Sequence, residues 1–215
     1  MTALDRHAHW QNVYTTKDEK EVSWFQESPT TSLDLIAAAG DETRSVIDIG
    51  GGASRLVDAL LARGYRHVAV LDVSEAALMV ARQRLGPAAD AVRWIAADVT
   101  SWEPAEQYDI WHDRAAFHFL TAASDRDAYV TRLKQALRPG GQAIIGSFSL
   151  TGPERCSGLP VVRYDAQSLG VVLGPAFRLI ETREEAHRTP WDATQHFQFS
   201  RFQRLDRAWT ELNLD

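Results

Sequence analysis

From Ser45 onward the chain alternates short runs of apolar, largely β-branched residues with stretches whose apolar positions recur every three to four residues. The first habit belongs to strands buried on both faces, the second to helices with one apolar stripe. The pattern predicts strands at Val46–Ile49, His67–Leu71, Val92–Ala97, Tyr108–His112, Gln142–Phe148, Phe177–Arg183 and Gln195–Arg204. Between them it predicts helices over Arg55–Arg63, with apolar residues at 56, 57, 60 and 61, and over Glu75–Leu85, capped by Ser74 and stopped by Gly86-Pro87. A further helix opens at a capping pair in Ser124-Asp125-Arg126-Asp127 and breaks at Arg138-Pro139-Gly140-Gly141, and a short one covers Asp165–Val172. Strands alternating with helices mark βαβ units and a parallel sheet. Gln195–Arg204 departs from this, because Phe197 and Phe199 alternate and no covering helix follows, so it is expected as an edge strand returning antiparallel.

The upstream part reads differently. Ser32–Ala39 is expected as a helix capped by Thr31 or Ser32 and stopped by Gly40, while residues 1–33 are the least regular stretch. Trp10, Tyr14, Trp24 and Phe25 lie there in otherwise polar sequence, and aromatics of that size must bury against something. The expected organisation is a lid segment with its helix over residues 1–41 and a main α/β domain over 42–215.

Composition narrows the class. With 45% hydrophobic and 24% charged residues the chain reads as globular, and it holds no apolar run long enough to span a bilayer. Residues 1–7 carry no hydrophobic leader and Cys156 stands alone, so a reduced, cytoplasmic location is expected. A net charge of −6 without a Lys/Arg cluster argues against a nucleic-acid partner, though not against a nucleotide-sized ligand. Monomer and homodimer both remain open.

The chemistry gathers where the strands end. Val46–Ser54 is an apolar run that passes through Asp48 into Gly50-Gly51-Gly52, a turn whose missing side chains let a ligand approach the backbone. Asp72, Asp98 and Asp113 likewise stand at or near the ends of the next three strands, where open parallel sheets bind their ligands. Any one of these acids could be a helix cap or turn former; the recurrence favours a site. A dinucleotide fingerprint would need a third glycine at the position of Arg55, which weighs against a nicotinamide-dependent oxidoreductase.

Over roughly residues 42 to 204 the ordered set Asp48-Ile49-Gly50-Gly51-Gly52, Leu71-Asp72-Val73-Ser74, Ala97-Asp98-Val99, Tyr108-Asp109-Ile110-Trp111-His112-Asp113 and Leu137-Arg138-Pro139-Gly140-Gly141 resembles the class I S-adenosylmethionine-dependent methyltransferases. The resemblance implies a Rossmann-like, doubly wound sheet of seven strands, mostly parallel with the last antiparallel. It implies S-adenosylmethionine as cofactor. Gly50, Gly51 and Gly52 would lie along its methionine and ribose, Asp72 with Val73 at the ribose hydroxyls, Asp98 and Val99 at the adenine, and Asp48 at the turn or the amino-acid end. Asp113 would face the methyl group, and Trp10 and Tyr14 would close over the cofactor.

The same resemblance puts Asp113-Arg114-Ala115-Ala116-Phe117-His118-Phe119-Leu120 beside the acceptor. Asp113, Arg114 and His118 are the expected catalytic group, with Trp24, Phe25 and Phe117 lining the acceptor. Arg114 either binds an acidic acceptor or pairs with Asp113. His118 titrates in the right range for a base, although a histidine between two phenylalanines is more often packed. The stretch and the aromatic amino terminus resemble small-molecule methyltransferases of the thiopurine type, and the Trp-rich start is also similar to small protein lysine methyltransferases. A small-molecule acceptor is expected; a protein lysine, and a cofactor-binding module without turnover, are the alternatives. His187 and His196 lack a third ligand, so no metal is expected. Cys156 falls in a Gly/Pro-rich loop, Thr151–Pro160, where nothing argues for a reactive thiol.

Overall fold

The computed structural model describes residues 3–206. The buried runs form strands β1 (Val46–Ile49), β2 (Val68–Asp72), β3 (Val92–Ala96), β4 (Tyr108–Arg114) and β5 (Leu137–Phe148). A two-stranded hairpin, β6 (Arg155–Cys156) and β7 (Leu159–Pro160), precedes β8 (Phe177–Arg188) and β9 (Thr194–Arg204). The main sheet has seven strands in the order β3-β2-β1-β4-β5-β9-β8. β1 to β5 pair in parallel and β9 runs antiparallel to both β5 and β8. This is the doubly wound, Rossmann-like arrangement, and the reversal of strand order between β1 and β4 opens a crevice above their carboxyl ends.

Helices α1 (Ala3–Thr16), α2 (Thr30–Ala39), α3 (Leu56–Ala62), α4 (Glu75–Leu85), α5 (Ala123–Ala136) and α6 (Ala166–Leu173) supply the rest. One face of the sheet packs Trp111, Tyr129, Leu133 and Leu169; the other packs Leu35, Ile36, Leu56, Leu60 and Phe199. Both layers are closed to water, which is why β1 and β2 are buried at every position. No helix among the described residues is long and apolar enough to cross a membrane.

Several expectations are corrected. β9 is not the edge: it lies between β5 and β8, and Phe197, Gln198, Phe199 and Ser200 are all buried because neighbours cover both its sides. The edge at that end is β8, which exposes the charges of Arg178, Glu184 and Arg188 along its unpaired rim. Arg138-Pro139-Gly140-Gly141 does not separate helix from strand but forms the exposed start of β5. Ser124 does not cap α5, whose cap is Ala122 without a side-chain bond, and α2 starts from Pro29 instead of a hydroxyl cap. Residues before 33 are far from irregular, since α1 runs through Trp10 and Tyr14; its apolar stripe is too thin to announce a helix. The Thr151–Pro160 stretch holds the β6/β7 hairpin, and Cys156 is buried there.

Candidate active site

The Gly50 turn is built by two constraints. Gly50 adopts φ +66° and Gly52 φ +41°, in the left-handed region that favours glycine. A Cβ at Gly51 would meet the Asp48 Oδ2 at 2.5 Å, and one at Gly52 would meet the Asp72 Oδ2 at 2.8 Å. The turn therefore presses backbone onto two carboxylates and leaves its outer face open.

Two adjoining cavities share Tyr14, Trp24, Gly50 and Arg114. The first, about 760 Å³ including its open mouth, runs over Asp72, Val73, Asp98 and Val99 toward Ala115, Phe119, Leu120 and Cys156 under Trp10. The second, about 570 Å³ on the same measure, lies over Asp48, Gly51, Ser32 and His112 beneath Phe25.

Asp72 is the acid most exposed to the consequences of burial. Desolvation pushes its carboxyl up to about 7, against the N–H groups of Ser74 and Val73, and the charge of Asp48 adds to the rise. Its Oδ1 accepts from Ser74 N at 2.8 Å. Asp98 reaches the same cavity with both oxygens engaged: Oδ1 takes Thr100 N and Oγ1, and Oδ2 takes Arg6 Nε at 3.0 Å. Arg6 also bonds Asp125 at 2.8 Å and Thr100, which ties α1 across the mouth. A second tie comes from Gln11, whose Oε1 accepts from Ser74 Oγ and from Ala76 N at the start of α4. Trp10 stands edge-on to Trp24 and Phe119, and Trp24 donates to Tyr14 Oη at 3.1 Å.

Arg55 does not stand free for a phosphate. It pairs with Glu19 and Glu27 and stacks over Phe25, so it fastens the amino-terminal segment to the glycine turn. Arg84 joins the same Glu19 and Asp58.

Three of the expected acceptor residues are placed elsewhere. Asp113 is fully buried and its carboxylate accepts from Ala116 N, Phe117 N and Tyr129 Oη, so it shapes the turn after β4 and does not reach either cavity. Burial pushes it up to about 6. His118 is sealed between Phe119 and Phe148, and burial and the Arg114 charge push it down to about 3, the wrong direction for a base. Phe117 packs in the core on Tyr129 and Tyr164 because the short 3-10 turn it opens points it inward. Phe119 and Leu120 face the cavity instead.

Arg114 does not pair with Asp113. Its guanidinium lies 4.5 Å over the Phe197 ring, donates to Trp24 O at 3.0 Å and meets Glu185 at 3.5 Å. It lines both cavities. The next residue, Ala115, holds φ +70°, a strained conformation for a residue with a Cβ, at the point where the wall turns.

Tyr129 Oη links the two halves of this support, accepting from Trp111 Nε1 at 2.8 Å and donating to Asp113 Oδ2 at 2.7 Å. Tyr129→Phe strands both partners in the core and is expected to cost about 1–3 kcal/mol in urea unfolding; a change below about 0.5 kcal/mol would mean the hydroxyl is dispensable.

Arg6, Gln11, Ser32, His112 and Cys156 were not read as site residues from the sequence. Only His112, one step from Asp113 in a strand that ends at the site, carried a signal that could have been used.

The fold is a Rossmann-like, doubly wound domain with carboxylates at its strand ends, and known methyltransferases are what it is similar to. A family model described as a methyltransferase domain matches residues 46–141, the stretch from β1 into the start of β5. Among known relatives, Thiocyanate methyltransferase 1 of Arabidopsis thaliana is 28% identical over 150 residues. The chain covers 63% of that relative, and 68% of the chain is matched. Among solved structures, one reported for the conversion of a disulfide bond into a thioacetal group during echinomycin biosynthesis superimposes with a TM-score of 0.74 at 21% identity, covering 96% of both chains. The N-methyltransferase NodS of Bradyrhizobium japonicum WM9, in complex with S-adenosyl-L-homocysteine, superimposes with a TM-score of 0.71 at 18% identity, over 94% of this chain and all of that one. At those identities the two structures speak for the fold alone.

Proposed function

We propose that the protein is a methyltransferase that uses S-adenosylmethionine and acts on a small, anionic sulfur nucleophile. The observation that carries the cofactor half is the Gly50–Gly52 backbone pressed between the Asp48 and Asp72 carboxylates, with the first cavity continuing to Asp98 and Val99. A buried carboxylate with a free lone pair fits a pair of ribose hydroxyls, and an apolar slot beside Val99 fits a purine. When bound, the cofactor supplies a methyl group made electrophilic by its sulfonium sulfur. Asp48 and the glycine turn hold the amino-acid end, Asp72 with Val73 the ribose, and Asp98 with Val99 the adenine side. Asp98 does this while also anchoring Arg6, so the lid helix closes on the same acid. Trp10, Tyr14 and Trp24 exclude water above. Residues 3–41 act as the lid and 42–206 as the domain that carries the site; the remainder of the expected spans 1–41 and 42–215 lies outside the described residues.

The acceptor half rests on what the cavity walls offer. Asp72 and Asp98 belong to the cofactor, burial pushes the Cys156 thiol up to about 11, and the Tyr14 phenol is raised by burial as well. Among the described residues lining the first cavity no imidazole is present. With no base placed to take a proton, the nucleophile is one that arrives already deprotonated. The Arg114 guanidinium lines both cavities and, with Glu185 only at 3.5 Å, still favours a negative charge beside it. A relative named for thiocyanate points the same way. In the transfer the sulfur anion forms its bond to the methyl carbon as the carbon–sulfonium bond breaks, and that electron pair neutralises the cofactor sulfur. The cytoplasm is the compartment we assign, where Cys156 stays a thiol.

The test incubates the protein with S-adenosylmethionine and a panel of thiocyanate, hydrosulfide, aryl thiols, amines and alcohols, reading S-adenosylhomocysteine. Turnover confined to the sulfur anions is expected. Stabilisation by NAD but not by S-adenosylhomocysteine in a thermal-shift assay would overturn the assignment.

A further inference from the structure

Beneath the second cavity lies a chain of buried polar side chains. Asp48 on β1 and His112 on β4 face one another in the parallel register, and Nδ1 lies 2.7 Å from Asp48 Oδ1. On the other side of the ring, Nε2 lies 2.9 Å from Ser32 Oγ on α2. The three residues are 3%, 2% and 1% exposed, yet all line the cavity. A carboxylate only accepts, so Nδ1 carries the hydrogen of that bond, and Ser32 donates its hydroxyl to Nε2 when the ring is neutral. The tautomer, and with it the direction of the ring, is set from both ends.

This leaves Asp48 with one oxygen committed and one available. Oδ2 sits under the Gly51 backbone and receives no hydrogen bond among the described residues. Arg114 also lines this cavity, with Glu185 at 3.5 Å from its guanidinium, while Arg55 is held more closely by Glu19 and Glu27 at 2.7 and 2.8 Å. A carboxylate and a guanidinium lining one cavity complement a zwitterion, an ammonium beside a carboxylate.

We propose that His112 and Ser32 are positioning residues: they hold the Asp48 carboxylate aimed so that Oδ2 receives the ammonium of the amino-acid end of the cofactor. The inference rests on the cofactor reading above and assigns to α2 a share in ligand binding. It makes a demand that a merely structural role does not. Loss of the relay should be felt only by ligands that carry the amino acid.

The experiment is calorimetric titration with two ligands, S-adenosylhomocysteine and 5′-methylthioadenosine, which keeps the adenosine and the thioether sulfur but lacks the amino-acid end. His112→Leu removes the donor to Asp48 and is expected to weaken S-adenosylhomocysteine about tenfold or more while leaving 5′-methylthioadenosine within about twofold. His112→Asn, which returns a donor toward Asp48, should recover most of the loss. Ser32→Ala deletes only the outer link and should give a smaller loss, about threefold, again confined to S-adenosylhomocysteine. It keeps the test open should His112→Leu fail to fold. Equal weakening of both ligands, or no weakening of either, overturns the relay. Failure of the unmodified protein to bind either ligand overturns the cofactor reading itself, and the two failures are told apart by that control.

Discussion

S-adenosylhomocysteine is expected to bind more tightly as the pH is raised from about 5 to about 8, with release of up to one proton per ligand, because Asp72 must be ionised to accept both ribose hydroxyls. In the ligand-free protein, burial pushes this carboxyl up to about 7, the Ser74 and Val73 N–H groups only partly offset it, and Asp48 adds to it. Two hydroxyl donors arriving on the carboxylate favour its charged form, so its pKa falls on binding and the proton leaves. Below about pH 6 the affinity should fall about tenfold per unit. Titrations in two buffers of different ionisation enthalpy count the proton directly. Asp72→Asn keeps the shape but not the charge: it should bind about tenfold to a hundredfold more weakly at pH 8 and lose the pH dependence. A flat profile in the unmodified protein would remove Asp72 from the ribose site.

The same shift has a cost for the empty protein. A carboxyl whose folded pKa lies above its unfolded value contributes stability that is complete below about pH 4 and is lost as the pH rises through the folded value. Asp72, at about 7, and Asp113, at about 6, both act in this sense. Ligand binding relieves the first of them. If α1, tied down by Arg6 and Gln11, is the lid proposed above, its closure over Asp72 is expected to be coupled to ligand binding at that acid.

What the sequence displayed was the part governed by period and by backbone. Buried strands read as unbroken apolar runs, and Asp48, Asp72 and Asp98 could be placed because the end of a parallel strand is fixed by its own residues. Seven strands and the antiparallel β9 followed from the apolar runs and the alternation of Phe197 and Phe199, and the family resemblance implied the same. What it did not display was set by contacts across the chain. That β9 lies inside β8 depends on which strand pairs with β5, and alternate phenylalanines are equally at home at an edge or in the middle. Asp113 and His118 stand in the right stretch, but their side-chain directions follow from the turn fixed by Ala116 N, Phe117 N and Tyr129, the last of which lies on a different element. Arg6 reaches Asp98 across 92 positions, and no local pattern foretells such a pairing. Ser32 looked like a helix cap because hydroxyls usually are; its partner His112 lies 80 positions away.

Gly50→Val is expected to abolish detectable S-adenosylhomocysteine binding and to lower the melting temperature by several degrees, about 2–4 kcal/mol of stability lost. Two separate costs combine at this position. The φ of +66° penalises any Cβ, and that Cβ would also lie 2.6 Å from the Ala116 Cβ, well inside contact distance. Movement to relieve the second would drag the glycine turn away from Leu71 O, which accepts from Gly50 N at 2.7 Å, and would shift the Ala115–Ala116 wall that Asp113 holds in place. Both cavities include Gly50, so neither keeps its shape. A double-mutant cycle separates the costs. Gly50→Ala should destabilise by about 2–3 kcal/mol alone but by only about 1–2 kcal/mol in an Ala116→Gly background, where the backbone penalty remains and the methyl contact does not. Equal costs in the two backgrounds would show that the left-handed conformation alone requires glycine here, and that the close approach of the β4 turn to the β1 turn is not what shapes the site.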